Sequence, residues 1–180
     1  MGVVETNLKG CFVISPKVIE DKRGYFFESF NKQQFEVQTG IKTNFIQDNE
    51  SKSSKGVLRG LHFQEGTYAQ AKLVRVVKGR ILDVCVDLRT HSETFGKHFS
   101  IILDAEKKQQ LYIPRGFAHG FLVLEEDTIF SYKCDNFYNK EAERGIVYND
   151  PDLNIAWNFP EDQLILSHKD KVLPTFNSFF

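Results

Sequence analysis

From Ile81 to Leu88 the chain alternates, with Leu82, Val84, Val86 and Leu88 on one side and Ile81, Asp83, Cys85 and Asp87 on the other. A period of two is the pleat of a β-strand, and a helix repeating every ~3.6 residues cannot gather those four aliphatics on one face. The pattern predicts a strand with one face on a core and a polar face opposite. Short apolar or alternating runs separated by turn residues recur at 11–14, 25–30, 43–48, 57–63, 72–78, 97–103, 111–113, 117–124 and 127–134. That rhythm belongs to an all-β sandwich or barrel.

Lys78-Gly79 reads as a hairpin turn between 72–77 and 80–88, and Asp21-Lys22-Arg23-Gly24 as a second tight turn. The best helix candidate, 31–38, opens on Asn31 as N-cap and closes at Gly40, a C-cap residue. It is short and peripheral. No repeat or linker interrupts the 180 residues, so 1–180 is expected to be one domain, with the segment from Asp150-Pro151 onward wrapping the barrel.

Composition excludes several functions. Twenty-three basic against 24 acidic side chains leave a formal net charge of -1, too little for a field that gathers nucleic acid or anionic lipid. No run approaches the roughly 18 apolar residues of a membrane span, and residues 1–9 lack a secretory leader's pattern, so a cytoplasmic protein is expected. Cys11, Cys85 and Cys134 are an odd set without close spacing, read as reduced, packed thiols.

Arg59-Gly60-Leu61-His62-Phe63-Gln64 places a cation, a glycine and an imidazole on one strand. A regular pleat would send Arg59 and His62 to opposite faces; a bulge at Gly60 would turn both into one pocket. Pro114-Arg115-Gly116-Phe117-Ala118-His119 launches a second strand with a histidine near its start. Together the two segments resemble the two-part layout of the cupin barrel, many of whose members bind a divalent metal through histidines and a carboxylate. Here Gln64 stands at a ligand position, and Ala69 and Gln70 stand where the carboxylate would follow, so no metal site is expected. Tyr132 and Tyr138 share a face if their strand continues. Taken alone, strand tyrosines pack and strand lysines such as Lys72 point to water, but inside a barrel Lys72 would be a preorganised positive charge.

Motifs over almost the whole chain carry a more specific resemblance. They include Asp21-x-Arg23-Gly24-x-Phe26-x-Glu28, Gln47-Asp48-Asn49-x-Ser51, Val57-Leu58-Arg59-Gly60-Leu61-His62-x-Gln64, Lys72-Leu73-Val74-Arg75-Val76, Tyr132-Lys133-Cys134 and Ser167-x-Lys169-Asp170. In this order they resemble the dTDP-4-dehydrorhamnose 3,5-epimerase family. The resemblance implies a cupin-type jelly roll with short peripheral helices that acts on dTDP-4-dehydro-6-deoxy-D-glucose in dTDP-L-rhamnose biosynthesis without a cofactor. It implies His62 as base, Asp170 as the carboxylate that fixes its tautomer (Asp83 being the fallback), Tyr132 as acid, and Lys72 with His119 around the C4 oxygen. It assigns the diphosphate to Arg23 and Arg59, a stack on thymine to Tyr138, and other ligand contacts to Phe26, Glu28, Gln47, Asp48, Asn49, Glu143 and Lys169. It also implies a homodimer that exchanges strands, with 25–30 a candidate to carry Arg23 or Glu28 to the neighbouring pocket. Two enzymatic alternatives stay open: a relative that inverts only C3 or only C5 or acts on another dTDP-ketosugar, and a metal-dependent cupin oxygenase or isomerase. A non-catalytic sugar-nucleotide-binding cupin is the third, and it would have no use for a base and an acid together.

Overall fold

In chain order the computed structural model, which describes Met1–Phe180, runs β1 (Gly2–Glu5), β2 (Phe12–Ser15), β3 (Ile19–Asp21), β4 (Gly24–Phe26), α1 (Lys32–Thr39), β5 (Gln47–Ser53) and β6 (Leu58–Gln64). It continues through β7 (Lys72–Lys78), β8 (Arg80–Asp87), β9 (His98–Asp104), β10 (Gln110–Ile113), β11 (Phe117–Val123), β12 (Thr128–Cys134), β13 (Glu143–Gly145) and α2 (His168–Lys171). One sheet has the order β1-β2-β10-β7-β12-β5, the other β13-β6-β11-β8-β9, and β3 and β4 form a separate hairpin. From β5 to β12 the chain passes between the two large sheets, and neighbouring strands are antiparallel. This is the all-β, cupin-type jelly roll expected from the sequence. No helix is long and apolar enough to cross a membrane.

The winding corrects one turn. Lys78-Gly79 does not close a hairpin, because β7 pairs with β10 and β12 whereas β8 pairs with β11 and β9. The turn carries the chain from one sheet to the other. Gly79 has φ +82°, and a Cβ there would run into Thr128, so the crossing needs a residue without a side chain.

Both faces of β8 are buried, contrary to the expected polar face. Leu82, Val84 and Val86 pack with Leu153, Trp157 and Phe176 of the C-terminal segment, which does wrap the outside of the five-stranded sheet. Ile81 and Cys85 join the core between the sheets, with Val74, Leu111, Phe121 and Phe130. Each large aliphatic buried this way contributes about 1.5–3 kcal/mol. The face that carries Asp83 and Asp87 therefore looks into the barrel, and both carboxylates are sealed from solvent.

The 25–30 run is strand only at Gly24–Phe26, and the 43–48 run becomes strand only from Gln47, extending to Ser53. The expected helix forms over 32–39: Asn31 Oδ1 accepts from the Gln34 N–H (3.1 Å) and Gly40 takes φ 71°. Its buried residue, Phe35, packs with Leu73 and Tyr112 on the outer face of the six-stranded sheet.

Candidate active site

Inward positions of the two sheets face each other across a cavity of about 260 Å³ lined by Arg59, His62, Lys72, His119, Tyr132 and Asp170, among others. An adjoining cavity of about 280 Å³ shares His62, Lys72 and Tyr132 and adds Gln47, Asn49, Tyr138 and Glu143. The imidazole of His62 comes from β6 and the phenol of Tyr132 from β12, in opposite sheets. The two side chains thus bound one space from its two walls.

Arg59 and His62 enter that space together because β6 is irregular at Gly60. Arg59 is in register with Phe121 and His62 with His119, and the ladder slips between those pairs. At Gly60 (φ +119°) a Cβ would lie 2.6 Å from Gly120 Cα, so only glycine lets the two backbones approach.

Two imidazole–carboxylate pairs stand side by side at this slip. His62 Nε2 lies 2.6 Å from Asp170 Oδ1, and Asp170 Oδ2 accepts from the Ser167 hydroxyl at 2.9 Å. Ser167 also caps α2, accepting from the Asp170 N–H at 3.1 Å, so the helix start and the carboxylate are set by one residue. Burial would push the Asp170 carboxyl up, but the bonds from His62 and Ser167 and the nearby Lys169 charge hold it below the usual aspartate range. An ionised carboxylate only accepts, so Nε2 carries the hydrogen and Nδ1 is the nitrogen left to take a proton. Asp83, the fallback partner for His62, instead meets His119 Nε2 at 2.9 Å. Its second oxygen, Oδ1, has no protein partner.

Burial acts in opposite directions on two further titratable groups lining the cavity. It pushes the Lys72 ammonium below the usual lysine range, partly offset by Cys134, Asp83 and Glu143. It pushes the Tyr132 phenol up, with Cys134 adding to the effect and Arg59 opposing it. Lys72 Nζ lies 5.9 Å from the Tyr132 ring centroid. Glu143, on β13, accepts from Tyr138 (2.9 Å) and pairs with Lys169 (2.5 Å). Burial raises its pKa, but those two partners outweigh burial and leave it low.

Other expected residues lie elsewhere. Asp48 points to the opposite face of β5 from Gln47 and Asn49, where it bonds Lys133 at 2.9 and 3.0 Å. Arg23 stands at the β3–β4 turn, paired with Asp21 at 2.5 Å and 84% exposed, while Phe26 and Glu28 line a separate cavity near α1. None of these four borders the His62 cavities. Tyr138 lies beyond the end of β12 at Cys134, so a loop and not a shared strand face brings it near Tyr132. Two roles escaped sequence reasoning. Ser167 was legible as the first residue of an S-x-x-D cap, whereas nothing local links Asp83 to His119. No group of three His, Cys, Asp or Glu side chains converges as a metal site.

Residues 5–178 match the family model described as dTDP-4-dehydrorhamnose 3,5-epimerase. A relative of that name from Shigella flexneri is 52% identical over 170 residues, 94% of this chain and 93% of its own length. The crystal structure of dTDP-4-dehydrorhamnose 3,5-epimerase from Elizabethkingia anophelis NUHP1 superposes with a TM-score of 0.96 at 58% identity, covering 99% of this chain and 97% of that one. A dTDP-6-deoxy-D-glucose-3,5-epimerase from Legionella pneumophila Philadelphia 1, in complex with dTDP-4-keto-L-rhamnose, superposes at 0.94 with 45% identity, covering 98% and 93%.

Proposed function

Because the chain belongs to the dTDP-4-dehydrorhamnose 3,5-epimerase family, we propose that it inverts C3 and C5 of dTDP-4-dehydro-6-deoxy-D-glucose to give dTDP-4-dehydro-L-rhamnose. The observation that carries this reading is the placement of His62 and Tyr132 on facing walls of one cavity.

The C4 ketone acidifies the hydrogens on C3 and C5. His62 Nδ1 takes one of them, and the electron pair left on carbon moves into the carbonyl, forming an enolate with its charge on the C4 oxygen. Lys72, with His119 beside it, stabilises that oxygen. Tyr132 then delivers its phenolic proton to the same carbon from the opposite side, and the configuration inverts. Exchange with solvent returns a proton to Tyr132 and removes one from His62, and the sequence repeats at the second carbon. Protons and electrons balance without a redox partner.

Arg59 is placed for the diphosphate, where its planar guanidinium matches phosphate oxygens. Tyr138 stacks on thymine, with Gln47, Asn49, Glu143 and Lys169 around the nucleotide. Arg23, Phe26 and Glu28 act from a second copy of the chain: the β3–β4 hairpin is exposed in its own subunit, including the apolar rings of Tyr25 and Phe26, and a strand-exchanged homodimer would cover it. Residues 1–180 work as one catalytic domain, since α2 near the C-terminus supplies the carboxylate for a histidine on β6. We place the enzyme in the cytoplasm, where nucleotide sugars are made.

Turnover of the 4-keto substrate in deuterium oxide, read by NMR, is expected to label both C3 and C5; label at one carbon alone would reject double epimerisation. Mixing Arg23→Ala and His62→Ala subunits tests the dimer. If Arg23 serves the neighbour, random re-pairing restores one intact site in half of the dimers, about a quarter of wild-type activity. If each pocket uses its own Arg23, mixing restores nothing.

A further inference from the structure

Gln64 stands two residues beyond His62, where a metal-binding cupin would carry a ligand, and its amide is fully engaged by backbone. Nε2 donates to the carbonyls of Tyr68 (2.8 Å) and Phe137 (3.1 Å), and Oε1 accepts from the Asn139 N–H (2.6 Å). The last two groups flank Tyr138 in the chain. Neighbouring amides brace the same loop: Gln70 donates to Asn136 O (2.8 Å), and Asn136 donates to Thr67 O (2.8 Å). Tyr138 itself is held at its N–H by Gln47 Oε1 (3.2 Å) and at its hydroxyl by Glu143. Gln64 is buried, yet Tyr138 is 55% exposed. An exposed aromatic on a segment fixed from below is a preorganised stacking surface, because the loop does not have to be ordered when a planar ligand arrives.

We propose that Gln64 is a positioning residue for the nucleotide base: by holding the backbone on both sides of Tyr138, it sets that ring before the substrate binds. The inference rests on the proposed role of Tyr138 as the thymine platform. Gln64 touches no reacting atom, so its loss acts on binding and not on proton transfer.

Gln64→Leu removes all three hydrogen bonds at similar volume and leaves three backbone groups unpaired. KM for the dTDP-4-keto sugar, and the calorimetric Kd for dTDP, are expected to rise about ten- to a hundredfold, equivalent to about 1.4–2.8 kcal/mol. Turnover at saturation should change less than about threefold. Gln64→Asn keeps both the donors and the acceptor of an amide but sets them one methylene short of these partners, so it should fall between wild type and Gln64→Leu; it supplies the measurement if the leucine variant does not fold. The decisive comparison is made in a Tyr138→Ala background, where Gln64→Leu (or Gln64→Asn) should add little to KM because the ring it positions is gone. Effects that multiply, or a fall in turnover with KM unchanged, overturn the proposal. A wild-type protein that binds dTDP yet exchanges no hydrogen of the sugar would instead sink the epimerase reading and leave the role of Gln64 to the binding data.

Discussion

The two histidine–aspartate pairs at the barrel wall have the same chemical composition and different surroundings. His62 and His119 are register partners on β6 and β11, yet the His62 side chain is 28% exposed whereas His119 is 6% exposed. The carboxylate of the first pair arrives from α2, far along the chain, and both of its oxygens are bonded. The second comes from the adjacent strand β8, is wholly buried, and has one oxygen unpartnered. A proton carrier must reach its substrate and afterwards exchange with solvent, which the first pair can do. A sealed pair cannot exchange readily, and separating it leaves a polar group stranded in the core. In the proposed mechanism burial, not residue type, separates the two: the accessible His62 is the proton carrier and the buried His119 a fixed electrostatic group.

This contrast predicts crossed phenotypes. Asp170→Asn should lower turnover about a hundredfold or more, through loss of the imidazole's orientation and tautomer, with little change in Tm. Asp83→Ala should behave the opposite way round. By stranding His119 it should cost about 1–3 kcal/mol in urea unfolding, with a smaller fall in turnover than Asp170→Asn. If Asp83→Ala were the slower enzyme and Asp170→Asn the less stable protein, the division of labour would be reversed.

The smallest expected effect is on pH dependence, and it concerns Lys72 and Tyr132, which stand on the sheet opposite the two histidine–aspartate pairs. Burial disfavours the charged form, so it lowers Lys72 and raises Tyr132. The lysine is a cation below its pKa and loses its charge as pH rises through it. Turnover should therefore fall on the alkaline side at a pH below the ordinary lysine value, whereas the Tyr132 phenol is shifted the other way, above the ordinary tyrosine value. The same limb should persist in the residual activity of Tyr132→Phe. Its disappearance there would assign it to the phenol.

Much of this architecture was legible because strand alternation is a local property. The pleat of β8 and the capped helix at 32–39 could be read from neighbouring residues. What lies against an element is not local. The inner face of β8 looked solvent-facing because Asp83 and Asp87 interrupt it, and only the closed barrel shows them buried. β5 begins four residues after the start of the 43–48 run and ends five residues beyond it, because Gln47 to Ser53 lacks apolar alternation: as a sheet edge it lines the pocket with the amides of Gln47 and Asn49 and turns Asp48, Glu50 and Lys52 outward. The Gly60 bulge could be foreseen from the glycine, and it is what brings Arg59 and His62 together. The pairing of His62 with Asp170, 108 residues away, had no signature in spacing and was suggested only by the family resemblance. Asp48 shows the limit of a motif: adjacent strand residues face opposite ways, so Gln47-Asp48-Asn49 cannot all enter one cavity.

The most direct test of the central claim is the rate at which His62→Ala washes solvent deuterium into C3 and C5 of the bound 4-keto sugar, compared with wild type at matched saturation. With His62 as the base, exchange at both carbons should drop about a hundred- to ten-thousand-fold while dTDP still binds. Exchange at the wild-type rate would show that another group removes the proton.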